Sequence, residues 1–380
     1  MVETMNAVLL HCQPSGIRKF TALAKEEPGC LFLTIGEPDF NTPDPVKKAA
    51  KDALDQNLTH YPPGVGESYL LERISRFERE HNGVSYSPQE IIVTDGATEG
   101  LYLALRGILN PGDEVIVPIP AFGLYEPLVT LSQGRYVPMD TCADGFQITA
   151  QNLARHITAR TKAILLNSPN NPTGAVYTLQ SLEAVYQAVK DRDIFVICDD
   201  VYAQLVYGPY QSFSRYQDLR EKIILVQSFS KPYAMTGWRV GYLCADRPVI
   251  EQLAKLHSYT VVSAVSFLQK GCAAALDYDP SEMIKTYRRR RDYVYGRLLD
   301  MGMEVQKPDG AFYLFPSIRK YQMDSETFCL RMIREGKLAA VPGSCFGADG
   351  YIRLSYCYAD EQLRQSLDRL ESFLKTLSQR

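Results

Sequence analysis

Through the middle of the chain, short apolar runs alternate with longer stretches of helical spacing. No other feature of the sequence constrains the fold as much. Ile91-Ile92-Val93 precedes a helical stretch from Ala97 to Leu109, which Asn110-Pro111-Gly112 closes. Glu114 to Val117 and Ala163 to Leu166 are the next strand candidates, and Leu182 to Val189 reads as a helix. Ile194 to Ile197, Ile223 to Val226 and Val240 to Leu243 complete the series. Strands that alternate with helices predict an α/β fold, with a mainly parallel central sheet flanked by helices. In such a sheet, functional residues gather in loops at the carboxyl ends of the strands. Four polar clusters fall there: Asp95 to Thr98, Asn167 to Gly174, Cys198 to Tyr202, and Ser228 to Lys231.

After about residue 275 the texture changes. Met283 to Leu299 reads as a long charged helix, in which Arg288 to Arg291 form a solvated face rather than a nucleic-acid patch. Gly310 to Phe315 and Tyr351 to Ser355 read as strands, and Asp360 to Leu377 as a closing amphipathic helix. This predicts a second, smaller α+β domain. The expected division is an N-terminal arm (1–44) joining the small domain, a large domain (45–275), and a small C-terminal domain (276–380). At 380 residues the chain has the length for such a division.

Composition excludes several function classes. The net charge is −3, which provides no global attraction to nucleic acid or to an anionic membrane. No apolar run approaches the ~18 residues of a membrane span, and the N-terminus lacks the pattern of a secretory signal. The nine cysteines are odd in number, widely spread and without a C-x-x-C pair. That argues against a disulfide framework and a zinc site, and for a cytoplasmic enzyme with reduced thiols. The five histidines show no metal-ligand spacing, so no metal is expected.

The four clusters supply complementary chemistry. Gly96-Ala97-Thr98 opens a helix, whose N–H groups and dipole favour a phosphate. Ser228 adds a hydroxyl and Arg239 a fork of donors. Asp199 ends an apolar strand and requires a partner. Lys231, in a loop between two apolar strands, becomes a nucleophile once desolvated. Tyr202 offers a donor to a phenolate oxygen. Each cluster alone has a plainer reading. Gly96 can open an ordinary helix, Asn170 to Gly174 can be a turn, Asp199 a helix cap and Lys231 a surface lysine. Together they are the requirements of pyridoxal phosphate.

The residues then become recognisable. Ser228-Phe229-Ser230-Lys231, followed by Thr236 to Tyr242, is a highly specific signature. Asn167-Ser168-Pro169-Asn170-Asn171-Pro172-Thr173-Gly174 precedes it in the right order. The chain resembles the class I/II aminotransferases of pyridoxal phosphate fold type I, from Ile35-Gly36-Glu37-Pro38-Asp39-Phe40 to Ile352-Arg353-Leu354-Ser355. The resemblance implies an aminotransferase that moves an amino group between an L-amino acid and a 2-oxo acid in a ping-pong cycle through pyridoxamine phosphate. It implies that Lys231 carries pyridoxal 5'-phosphate as a Schiff base and that Asp199 pairs with the ring nitrogen. Asn171 and Tyr202 would bond the ring oxygen. Gly96, Ala97, Thr98, Ser228 and Arg239 would hold the phosphate, and Phe122 would lie against the ring. Arg353, helped by Gly36 and Asn171, would clamp the substrate α-carboxylate. Tyr61 would reach the phosphate of a neighbouring subunit, which implies a homodimer.

Phe122 departs from the commoner Trp or Tyr of the family, which keeps stacking and loses a donor. No residue matches a receptor for a substrate side-chain carboxylate, so the resemblance leaves the substrate open. A carbon–sulfur β-lyase on the same fold is the alternative, and Asn170 to Gly174 is more typical of the transferring members. A remoter alternative is the effector-sensing module of a regulator. It would need a helix-turn-helix segment before the resemblance begins at about residue 35.

Overall fold

The computed structural model describes residues 2–12 and 14–378. Its strands are β1 (Leu31–Phe32), β2 (Ile91–Thr94), β3 (Glu114–Ile119), β4 (Arg135–Asp140), β5 (Thr161–Asn167) and β6 (Phe195–Asp199). They continue as β7 (Ile223–Ser228), β8 (Gly241–Ala245), β9 (Tyr313–Leu314), β10 (Leu338–Ala339), β11 (Val341–Pro342) and β12 (Ile352–Ser355). Seven of these form the central sheet, in the order β2-β8-β7-β6-β5-β3-β4. Strands β3 to β7 run parallel to one another, while β8 is antiparallel to both β2 and β7. The α/β expectation therefore holds.

The inner strands are apolar and buried along their length because helices cover both faces of the sheet. Cys198 and Cys244 are buried among these apolar neighbours, as their sequence context suggests. Strand β4 escaped the sequence reading. It lies at the sheet edge, is mostly exposed and contains Pro138, so it lacks the apolar run that marks the others.

The chain beyond the sheet builds a separate core. Strands β11, β12 and β9 form an antiparallel sheet. Helices Ser281–Asp300, Ser325–Gly336 and Asp360–Ser378 accompany it. Strand β1 pairs in parallel with β10, which draws the N-terminal segment onto this region.

Two expectations need correction here. The run from Gly310 to Phe315 is not one strand: Gly310 bridges to Val206, Ala311 takes a left-handed φ of 54°, and only Tyr313–Leu314 pair in a sheet. Arg288 to Arg291 do not form a solvated face either, because Arg290 and Arg291 are buried. Arg290 is paired with Asp39 at 2.8 Å and Asp360 at 2.9 Å. Arg291 donates to the Pro308 carbonyl oxygen and lies over the Tyr207 ring. Arg291 also pairs with its neighbour Asp292 at 2.8 Å, but the acids that hold Arg290 are distant in sequence, so the run looked solvated.

Candidate active site

Parallel register brings the strand ends together. Asn167, ending β5, stands opposite Asp199, ending β6, and its Nδ2 donates to the Asp199 main-chain oxygen at 2.9 Å. The Asp199 carboxylate is buried. Its Oδ2 accepts from the Tyr125 hydroxyl at 2.7 Å, and no cationic side chain pairs with it among the described residues. Burial pushes the carboxyl up to about 6, while the Tyr125 hydrogen bond opposes that rise. A buried carboxylate without a cation in its own chain is a receptor for one.

Lys231 lies in the loop that follows β7. Its Nζ donates to the Gly36 carbonyl oxygen at 2.6 Å. Loss of solvent holds the ammonium down, to about 8. Such a lysine gives up its proton near neutrality and then acts as a nucleophile or base.

Both groups line a cavity of about 330 Å³, together with Ala97, Thr98, Phe122, Ser228 and Arg239. Helix Gly96–Ile108 starts against it. Gly96 has a φ of 74°, and a Cβ there would stand 2.4 Å from Arg239 Nη2, so only glycine lets the guanidinium approach the helix start. Arg239 is exposed and donates to the Thr236 carbonyl oxygen at 3.1 Å. The Ser228 hydroxyl accepts the Ser230 N–H at 3.1 Å.

Arg353, on β12, reaches the same cavity from the second core. It is 1% exposed. Nη1 donates to Asn171 Oδ1 at 2.9 Å and Nη2 to the Thr34 carbonyl oxygen at 2.6 Å. The guanidinium lies 4.5 Å from the Tyr313 ring centroid and 5.0 Å from that of Phe346. Its Nε has no partner and no acid is paired with it among the described residues, so a buried cation awaits an anion. Tyr202 exchanges a 2.8 Å hydrogen bond with the Tyr313 hydroxyl. Gly36 fits because any Cβ would strike that same hydroxyl.

The cavity thus gathers Gly36, Asn171, Tyr202 and Arg353 with the residues named above. Gly96 adjoins it at the helix start. Tyr61 does not enter it. Its side chain is 87% exposed, beside a surface formed by Thr59 to Pro62, Val261 and Ser263 to Phe267.

Among the lining residues that escaped the sequence reading are Tyr125, Tyr313 and Arg18. Tyr125 opens a helix three residues after Phe122, and Tyr313 lay in a run read only as buried strand. Arg18 belongs to helix Gly16–Glu26, is exposed, and has no acidic partner among the described residues. Nothing in its local sequence points at the cavity.

Known proteins resemble this chain over nearly its whole length. Residues 28–370 match the family described as aminotransferase class I and II. The chain is 39% identical to the probable N-acetyl-LL-diaminopimelate aminotransferase of Bacillus subtilis, over 98% of this chain and 96% of that one. It is 39% identical to aromatic-amino-acid aminotransferase 2 of Thermococcus litoralis, over 95% and 96%. The solved aspartate aminotransferase from Thermus thermophilus with maleate superposes with a TM-score of 0.92, at 35% identity, over 97% of this chain and 99% of that one. These relatives favour amino-group transfer over β-elimination. The chain belongs to the class I and II aminotransferases, enzymes of fold type I that use pyridoxal 5'-phosphate to move amino groups between amino acids and 2-oxo acids.

Proposed function

We propose that the cavity holds pyridoxal phosphate on Lys231 and admits amino acids with an acidic side chain. One observation carries this reading. A buried carboxylate without a cation, a desolvated lysine and a buried arginine without an acid line one space. The residues present fit the cofactor. Asp199 suits a protonated ring nitrogen, and Tyr202 and Asn171 suit a ring oxygen. Phe122 suits a ring face. The N–H groups at Gly96, Ala97 and Thr98, with Ser228 and Arg239, suit a phosphate. When bound, the cofactor supplies the electron sink and carries the amino group between the two halves of a ping-pong cycle.

The chain's own residues do the rest. Arg353 takes the substrate α-carboxylate, which orients the α-hydrogen. Lys231 Nζ, once released, removes that proton as a general base. Asp199 stays ionised to hold the opposing positive charge. Lys231 and Arg353 come from different parts of the chain, which we divide into an arm (1–44), a large domain (45–275) and a small domain (276–380). Tyr61 is exposed and does not line its own cavity, which supports a homodimer in which it reaches the partner's phosphate. All nine cysteines are unpaired, which supports a reducing, cytoplasmic setting. Among the described residues no helix is long and apolar enough to cross a membrane.

Arg18 supports the acidic substrate. It is a cation with no acidic partner among the described residues, on the wall of the cavity that Arg353 enters. The relatives include both aspartate and aromatic enzymes, so the two side-chain classes need separating. The test mixes the reconstituted enzyme with single amino acids and follows loss of the cofactor's visible band. Aspartate and glutamate should react faster than phenylalanine. Arg18→Gln should slow the acidic pair about tenfold, the scale of one charged hydrogen bond, and leave phenylalanine unchanged. An equal effect on all three removes Arg18 from substrate choice. Pyruvate and ammonia from cystathionine, with no stable aminated form, would overturn transfer itself.

A further inference from the structure

Behind the helix start lies a buried polar pair that this chemistry does not use. Glu99 sits in the first turns of helix Gly96–Ile108, and His257 in the last turn of helix Arg247–Thr260. His257 is 0% exposed and Glu99 is buried. His257 Nδ1 lies 2.8 Å from Glu99 Oε1, and Nε2 lies 2.9 Å from the Gly64 carbonyl oxygen. A carbonyl oxygen only accepts, so Nε2 carries a hydrogen and donates it. Nδ1 and Glu99 Oε1 then share another. Glu99 Oε2 accepts the Asp95 N–H at 2.5 Å. A continuous path therefore runs from Gly64 through His257 and Glu99 to the residue that caps the helix.

Both ends of the path matter. Asp95 begins the turn whose next three residues carry the phosphate donors proposed above. Gly64 lies three residues beyond Tyr61. This loop is held to the rest of its own subunit: Val65 accepts the Val93 N–H at 2.9 Å, and the Glu67 N–H donates to Gln269 Oε1 at 2.8 Å. Tyr61 itself is left exposed, beside Val261 and the stretch from Ser263 to Phe267. An apolar pair would fill the space between the two helices without the desolvation that a buried carboxylate and imidazole suffer. What an apolar pair lacks is direction. The polar path fixes the loop and the turn relative to each other.

We propose that Glu99 and His257 are positioning residues that couple the Tyr61 loop to the phosphate cradle of the same subunit. The inference rests on the reading that Tyr61 serves the partner's site. Seating the loop in the subunit contact then sets the cradle of its own subunit while Tyr61 completes the other. Phosphate capture at one site of the dimer is thereby linked to capture at the second.

The test is the rate at which the reconstituted enzyme releases its cofactor, followed by fluorescence after dilution into a trap. The variants are Tyr61→Phe, His257→Gln and the two combined. His257→Gln should release cofactor about tenfold faster, the scale of one lost buried hydrogen bond. The double variant should release it more slowly than the product of the two single effects requires. A role confined to stability would leave the effects independent. Where His257→Gln does not fold, Glu99→Gln takes its place, since it keeps an acceptor for the Asp95 N–H. Unchanged release in Tyr61→Phe would overturn the cross-subunit reading. Faster release in Tyr61→Phe combined with full independence from His257 would overturn the coupling alone. Unchanged release in His257→Gln would also overturn it.

Discussion

Arg353 and Arg239 line one cavity and are built in different ways. Arg353 is buried, fixed by a side-chain oxygen and a main-chain oxygen, and packed between two aromatic rings. Arg239 is exposed, sits on a left-handed residue with a φ of 53°, and is held by one main-chain oxygen. The first can receive a planar anion in only one orientation. The second, in the reading proposed above, would meet its anion beside a helix start, where main-chain N–H groups contribute as well. A rigid guanidinium thus suits the substrate, whose α-hydrogen must be aimed. A looser one suits a group that needs only to be retained.

The largest expected effect tests whether these two arginines only bind. Lys231→Ala should lower turnover by at least about 10⁴-fold, with both arginines unaltered. Near-normal turnover in that variant would make the cavity's chemistry something other than proton transfer by the lysine. Arg353→Lys comes next. It keeps the charge and loses the planar fork, so KM for the amino acid should rise about 100-fold with cofactor affinity unchanged. A parallel loss of cofactor affinity would erase the contrast between the two arginines.

Tyr125→Phe should have the smallest effect and concerns the buried carboxylate of the same cavity. The Tyr125 hydrogen bond favours ionised Asp199, so its loss raises that carboxyl further above about 6. The acid limb of the pH–rate profile should then move to higher pH, with activity near pH 9 little changed. Stability should follow with a definite sign. An unfolded aspartate titrates near ~3.9, below its folded value, so the cofactor-free protein loses stability as pH rises from there through the folded value. Thermal unfolding across that window should show a larger loss in Tyr125→Phe. An acid limb that stays in place would detach Tyr125 from the site.

The parts of this site that follow strands were readable because sequence order and spatial order coincide there. Asp199 and Ser228 end apolar runs, and parallel pairing aligns those ends without further information. Tyr125, Tyr313 and Arg18 reach the cavity only through packing between distant segments, for which local pattern carries no signal. The same limit explains Arg290, whose partners lie 251 and 70 residues away. Gly310 to Phe315 misled for a different reason: its apolar content is that of a strand, but Ala311 breaks the extended backbone. The edge strand β4 was missed because its exposure removed the pattern that periodicity detects.

One feature near the N-terminus reaches beyond binding. The carbonyl oxygens of Thr34 and Gly36, two residues apart, receive Arg353 Nη2 and Lys231 Nζ. A single short stretch of main chain thus joins the arginine proposed to take the substrate carboxylate to the lysine proposed to carry the cofactor. A displacement that lengthens one bond must disturb the other. In the cofactor-free chain the arginine and the lysine are therefore tethered to the same few main-chain atoms, and a substitution that moves this stretch should act on both without altering either side chain.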